Sequence, residues 1–193
     1  MSTIININGT TGEDWISWPV GSPLSGLDAI AQRFADSPDL LTDAHTSITQ
    51  LDERLDEAGA TIGGVWAPEE FGGHFAALWW AGVRQAPSEE EYRSARRYER
   101  MVNDGYLDST GVMYSRQMTT IFVDDTEAIL TIESRADGDG CRPYLRARAV
   151  YFPTQTKDRV ILEVTNPSFS LVQDFVNNVT AMASSLHIIT SDT

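Results

Sequence analysis

Arg159-Val160-Ile161-Leu162-Glu163-Val164-Thr165-Asn166, followed by Pro167-Ser168 and a long amphipathic run, decides the fold. Val160, Leu162 and Val164 alternate with Ile161, Glu163 and Thr165, which describes a strand with a well-buried face. Beyond it, Val172, Phe175, Val176, Val179, Ala183 and Leu186 fall at i, i+3, i+4, i+7, i+11 and i+14, one apolar stripe at helical period. Asp174, Asn177, Asn178 and Ser184 take the other side, and Ser170 with Gln173 has capping-box spacing. A helix this apolar on one side must lie on something, and the preceding strands are its nearest cover. The final third, Arg142 to Ile189, therefore reads as strand, turn, strand and a closing helix.

Working back from there, Val112–Val123 and Glu127–Ala136 flank Asp124-Asp125-Thr126, and Asp137-Gly138-Asp139-Gly140 leads to Pro143–Phe152. This is an antiparallel meander. Upstream, Ser88–Asn103 predicts a helix with a Ser88/Glu91 capping box, an inward stripe of Tyr92, Ala95, Tyr98 and Val102, and a stop at Gly105. Its Arg93, Arg96, Arg97 and Arg100 make a solvated face. Ala60–Ala67 and His74–Gln85 read as a hairpin around Pro68 to Gly73, with Leu78 and Trp80 on one face and Ala77, Trp79 and Ala81 on the other. A long helix is expected from Ser37-Pro38 to a stop at Gly59, burying Leu41, Ala44, Ile48, Leu51, Leu55 and Ala58. Its exposed side is Asp43, Asp52, Glu53, Asp56 and Glu57. A shorter helix follows Ser25-x-x-Asp28, and Met1 to Leu24 reads as an extended entry segment. The fold class is α+β: an antiparallel sheet of about six strands packed by helices, with a C-terminal helix covering the sheet. One domain over 1–193 is expected, its acidic helical segment 1–59 packed on a sheet domain 60–193.

The balance of 14 basic and 28 acidic residues gives a net charge of −14. Such a surface repels nucleic acid and anionic lipid, which bind through cationic contacts. The acid is concentrated early, where Met1 to Ala60 sets ten carboxylates against Arg33 and Arg54. No run of about 18 apolar residues exists to span a bilayer. The first residues carry no basic, apolar leader, so a cytoplasmic location is the default expectation. A lone Cys141 excludes an internal disulfide.

Sequence signatures of catalysis are missing: no Gly-x-Ser-x-Gly elbow, phosphate loop, dinucleotide fingerprint or His-Glu-x-x-His. His45, His74 and His187 lie on separate elements without ligand spacing. Asp137-Gly-Asp-Gly opens like a calcium loop but continues with Cys141 and Arg142, so it reads as a turn, as does Asp124-Asp125. Trp15, Trp18, Trp66, Trp79, Trp80, Phe71 and Phe75 form an aromatic-rich set explained mostly by core packing, with a concave aromatic surface as the one candidate pocket.

Arg148-Ala149-Val150-Tyr151-Phe152-Pro153 and Arg159 to Asn166, followed by Leu171 to Leu186, resemble the ending of the PsbP/Mog-like α/β fold, closest in texture to actinobacterial LpqN-like proteins. The resemblance implies that sandwich and a tendency toward binding or assembly roles, without a shared catalytic residue set. The chain departs from the lipoprotein members in lacking a lipobox cysteine.

The expected function is that of a bacterial, non-catalytic protein-binding or accessory factor, for a secretion or assembly system, without cofactor or metal. Its partner is another protein, a basic one, and neither nucleic acid nor a membrane interior. The candidate partner surface is Asp43, Asp52, Glu53, Asp56, Glu57, Trp79 and Trp80. An immunity protein neutralising a basic toxin, and a small-molecule binder or hydrolase with an aromatic pocket, are the alternatives.

Overall fold

The computed structural model describes residues 3–9, 15–33, 38–67, 75–84, 94–105, 111–136, 138, 142–167 and 172–191. In chain order the elements are β1 (Thr3–Asn8), β2 (Trp15–Pro19), α1 (Leu24–Ala31), α2 (Pro38–Glu57), β3 (Ile62–Trp66), β4 (Ala77–Arg84), α3 (Ala95–Asn103), β5 (Val112–Val123), β6 (Thr126–Ala136), β7 (Pro143–Phe152), β8 (Arg159–Asn166), α4 (Val172–Ser184) and β9 (His187–Ser191). Seven strands follow one another in the sheet order β2-β3-β4-β8-β7-β6-β5, and β1 pairs with β9. The chain divides into two compact units, Thr11–Ala81 and Met1–Thr10 with Gly82–Thr193. Strand β3 pairs with β2, so residues on both sides of position 59 share one ladder.

In the unit Thr11–Ala81, β2, β3 and β4 form antiparallel ladders that set Trp15 opposite Trp66 and Val65 opposite Leu78. The two faces have different coverings. On one, Ile16, Trp18 and Val65 pack with Leu27 of α1 and Ile48 and Leu55 of α2, and Leu78 and Trp80 close the edge of this core. On the other, Trp15 stacks on Trp66 with ring centroids 5.7 Å apart. Trp79 lies across Gly64, where a Cβ would collide with its indole nitrogen and with the carbonyl of Ile16. Gly64 is thus required by close approach. Helix α2 ends as its sequence predicts, with Gly59 at a φ of 70° supplying the left-handed stop. Helix α1 starts one residue before Ser25, with Pro23 as N-cap and no side-chain cap, so the Ser25/Asp28 box is not what begins it.

In the other unit, β5 to β8 form an antiparallel meander, aligning Arg116, Glu133 and Arg146 across three strands. Both faces are covered. Tyr98 of α3 meets Phe152 of β7, while the next residue, Tyr151, points the other way and donates its hydroxyl to the carbonyl of Ala183 in α4 at 2.7 Å. Burial on both faces is why β8 reads as a nearly continuous apolar run. Helix α4 lies on β5 to β8, as expected of the closing helix. It buries Phe175, Val179, Met182 and Ala183, each of the larger side chains contributing about 1.5–3 kcal/mol. Its stripe is rotated slightly from the expected one: Met182 joins it and Val172 is exposed.

The sheet has one strand more than the expected six, since Trp15–Pro19, read as an entry segment, is its edge. Strands β1 and β9 were not distinguished in the sequence, and they pair antiparallel with Thr3 opposite Ser191. Helix α3 is described from Ser94, whose side-chain oxygen accepts from the amide of Arg97. The expected caps at Ser37, Ser88/Glu91 and Ser170, the turn Pro68 to Gly73, His74, Asp137 and Cys141 lie outside the described residues.

Candidate functional site: a groove beside the acidic helix

Helix α2 buries Ile48 and Leu55 and leaves Asp43, Glu53, Asp56 and Glu57 in solvent. Among the described residues none of these four forms an ion pair. Asp52 corrects the expected acidic face, for it is only 6% exposed. Its Oδ1 accepts the indole N–H of Trp18 at 2.9 Å, and both its oxygens accept from the amide of Gly21 at 3.2 Å. Asp52 sits on the inward side with Ile48 and Leu55, at i+4 and i−3, so helical geometry had placed it there. It is a brace between α2 and β2.

The two tryptophans of the expected surface are also drawn inward. Trp79 is 3% exposed, with its indole nitrogen buried and without a hydrogen-bond partner. Trp80 is half-buried against the core beneath α1 and α2. The alternation read from the sequence thus holds, but neither ring offers an open aromatic surface.

What is open is a groove next to them. Ser47, Gln50, Leu51 and Arg54 of α2, with Val65, Phe75 and Leu78, enclose about 300 Å³. Its floor is aliphatic and aromatic, and Arg54 is its charged lining group. Asp43, Ser47, Gln50, Arg54 and Glu57 stand at i, i+4, i+7, i+11 and i+14, so carboxylates continue the same helical stripe at each end of the groove. That polar stripe was legible in the sequence, but the groove also needs Val65 and Leu78 brought opposite it by β3 and β4.

A second constellation lies in the other unit and was missed in the sequence. Glu133, 4% exposed, accepts from Arg116 at 2.7 Å, from Arg135 at 3.0 Å and from Arg146 at 2.7 Å. Arg148 pairs with Glu163 at 2.6 Å and is hydrogen-bonded to Tyr98. Burial pushes the Glu133 carboxyl up, but Arg146, Arg116 and Arg135 outweigh it and hold it below the ordinary value. Burial raises the phenols of Tyr98 and Tyr151. Four guanidiniums against two carboxylates leave excess positive charge, and the carbonyl of Val102 in the last turn of α3 accepts from Arg116 at 2.6 Å. The negative end of that helix dipole partly compensates it. Charges at alternate positions, Glu133 and Arg135, Arg146 and Arg148, were the available signal for a shared face. These groups are spent on one another, and the cluster holds β5, β6, β7 and α3 together.

Of the histidines, His45 pairs with Asp28 at 2.9 Å, and His187 with Asp124 at 2.8 Å beside a polar hollow of about 130 Å³ that includes Asp125, Gln155 and Thr190. Asp124 has a φ of 50°, the left-handed backbone of a tight turn. Among the described residues no three His, Cys, Asp or Glu converge as a metal site would require, and no helix is long and apolar enough to cross a membrane.

No family model and no curated protein matches the chain. Among solved structures it is similar to LpqN of Mycobacterium tuberculosis, a protein involved in cell envelope biogenesis, at 8% identity and a TM-score of 0.50, covering 97% of this chain and 90% of that one. It is also similar to the cyanobacterial PsbP of Synechocystis, at 10% identity and a TM-score of 0.48 over 98% and 92% of the two chains. The yeast Ran-binding protein Mog1p matches at 13% identity and a TM-score of 0.37, over 58% of this chain and 67% of its own. The likeness to LpqN shows the fold: the PsbP/Mog-like α/β arrangement that the Arg148–Leu186 region resembles.

Proposed function

We propose that the protein is a non-catalytic binding factor that docks a basic segment of another protein along α2, as an accessory to a secretion or assembly system in the cytoplasm. The observation that carries this reading is the groove of about 300 Å³ whose helical wall is prolonged at each end by unpaired carboxylates. An apolar trough accepts a bulky side chain, and Asp43, Glu53 and Glu57 complement lysine or arginine on either side of it. The braces on either side keep the wall rigid: Asp52 fixes α2 to β2, and His45 links it to α1.

The test is photocrosslinking in cells from a reactive amino acid placed at Gln50 or Glu53, with Thr154, exposed in the other unit, as control. A basic protein should be captured from the α2 positions and not from Thr154. Capture should weaken with salt and fall several-fold with Asp43→Arg, Glu53→Arg and Glu57→Arg together. Equal capture from all three positions, or indifference to the charge reversal, overturns the reading.

A further inference from the structure

Among the described residues strand β5 is the last strand of the sheet, and its composition is unusual for this chain. It is twelve residues long, and its outer side pairs with no described strand. Natural proteins protect such edges with charge, proline or brevity, because a row of unpaired amides and carbonyls recruits another strand. Here Val112-Met113-Tyr114-Ser115-Arg116-Gln117-Met118-Thr119-Thr120-Ile121-Phe122-Val123 contains no carboxylate, no lysine and no proline, in a chain of 28 acidic residues. Its one charged residue, Arg116, is engaged by Glu133 and the carbonyl of Val102. Four of the six large hydrophobic residues exposed among those described lie on it: Val112, Met113, Tyr114 at 60% and Phe122 at 69%. Among the described residues, its edge-protecting features are the inward-turned Arg116 and a bulge between Met113 and Ser115.

We propose that β5 is a homodimer interface in which two copies pair β5 against β5, antiparallel, about a two-fold axis at Met118. The strand is self-complementary in that arrangement. Met113 and Tyr114 of one copy meet Val123 and Phe122 of the other at both ends, and the centre, Gln117 to Thr119, meets itself. Charge selects the same arrangement. Two copies of net charge −14 repel, so they can associate only through a patch free of acid. Antiparallel pairing keeps the Asp124-Asp125 turns of the two copies about 40 Å apart, the length of a twelve-residue strand. That is several screening lengths at physiological salt. Parallel pairing would stack those turns side by side. A second copy is therefore favoured over a strand of unspecified sequence, and the symmetry closes the assembly at two.

The full-length protein is tested by light scattering and by electron paramagnetic resonance of a nitroxide at Gln117→Cys in a Cys141→Ser background. A mass twice the 21.3 kDa of the chain is expected, with strong dipolar broadening of the label. High salt should tighten the dimer by screening its repulsion, the opposite of its effect on contacts at α2. Tyr114→Lys with Phe122→Lys should weaken dimerisation about tenfold or more, since both Tyr114–Phe122 cross-strand pairs are lost and lysine is set opposite lysine. Both side chains are exposed, so circular dichroism and thermal unfolding of the monomer should be unchanged. The double variant also lowers the net charge, so weaker association would separate edge pairing from general electrostatics, which predicts the reverse. A monomer at all salt concentrations, a dimer without broadening, or a dimer indifferent to the lysines overturns the proposal. None of these outcomes touches the groove on α2.

Discussion

Asp52 and Glu53 are neighbours in sequence with opposite roles, and they make a direct test at single-residue scale. Asp52→Ala leaves the Trp18 indole N–H buried without an acceptor, and a loss of about 1–3 kcal/mol in urea unfolding is expected. Glu53→Ala should stay within about 0.5 kcal/mol. Gly64→Ala forces a methyl into Trp79 and the Ile16 carbonyl and should cost about 1–3 kcal/mol or more, whereas Gly138→Ala, with nothing within 4 Å, should be neutral. Glu133→Gln removes the anion that three arginines share, a loss of about 3–5 kcal/mol at neutral pH. Because the folded carboxyl titrates below its ordinary value of 4.5, its stabilisation is complete above that pH and disappears as pH falls through the folded value. The gap between wild type and Glu133→Gln should therefore close in acid, and a gap that stays constant down to acid unfolding would contradict the ion-pair account. None of these roles except the inward position of Asp52 follows from local sequence. The acceptor for Trp18 lies 34 positions away, and the partners of Glu133 come from three strands.

Elements were legible where one face is apolar and the other is not. Helix α2 starts at the expected Pro38, β7 spans the expected Pro143–Phe152, and α4 covers the meander. Strand β9 escaped because His187-Ile-Ile-Thr-Ser is short, buries none of its residues fully and does not alternate apolar with polar, and its partner β1 is distant in sequence. The groove escaped because a helix stripe shows which way a residue points but not what faces it. At this scale Ser94→Ala should destabilise α3 by about 1 kcal/mol through loss of its N-cap, measurable as faster amide exchange over Ala95–Asn103. Amides of β5 should exchange faster than those of the central β7 in dilute solution, and gain protection as concentration rises if edges pair.

For the whole molecule, the net charge of −14 acts on stability as well as on partners. Self-repulsion favours expansion, so the thermal midpoint should rise with added sodium chloride; a midpoint that falls would show that ion pairs such as Glu133 with its arginines outweigh the general field. Two compact units, each with its own buried residues, also lead us to expect separate exchange classes for Thr11–Ala81 and for the remainder. The pairing of β1 with β9 has a further consequence, in the order of synthesis. On the ribosome β1 emerges early and its hydrogen-bonding partner late, with Thr3 destined for Ser191. Residues 11–81 are contiguous and carry their own core, so they can fold while the rest is still being translated. The other unit is interrupted by them, and its first strand must wait unpaired until β9 has been made. Slowing translation should therefore leave the nascent chain protease-resistant first over 11–81, with β1 still open to cleavage.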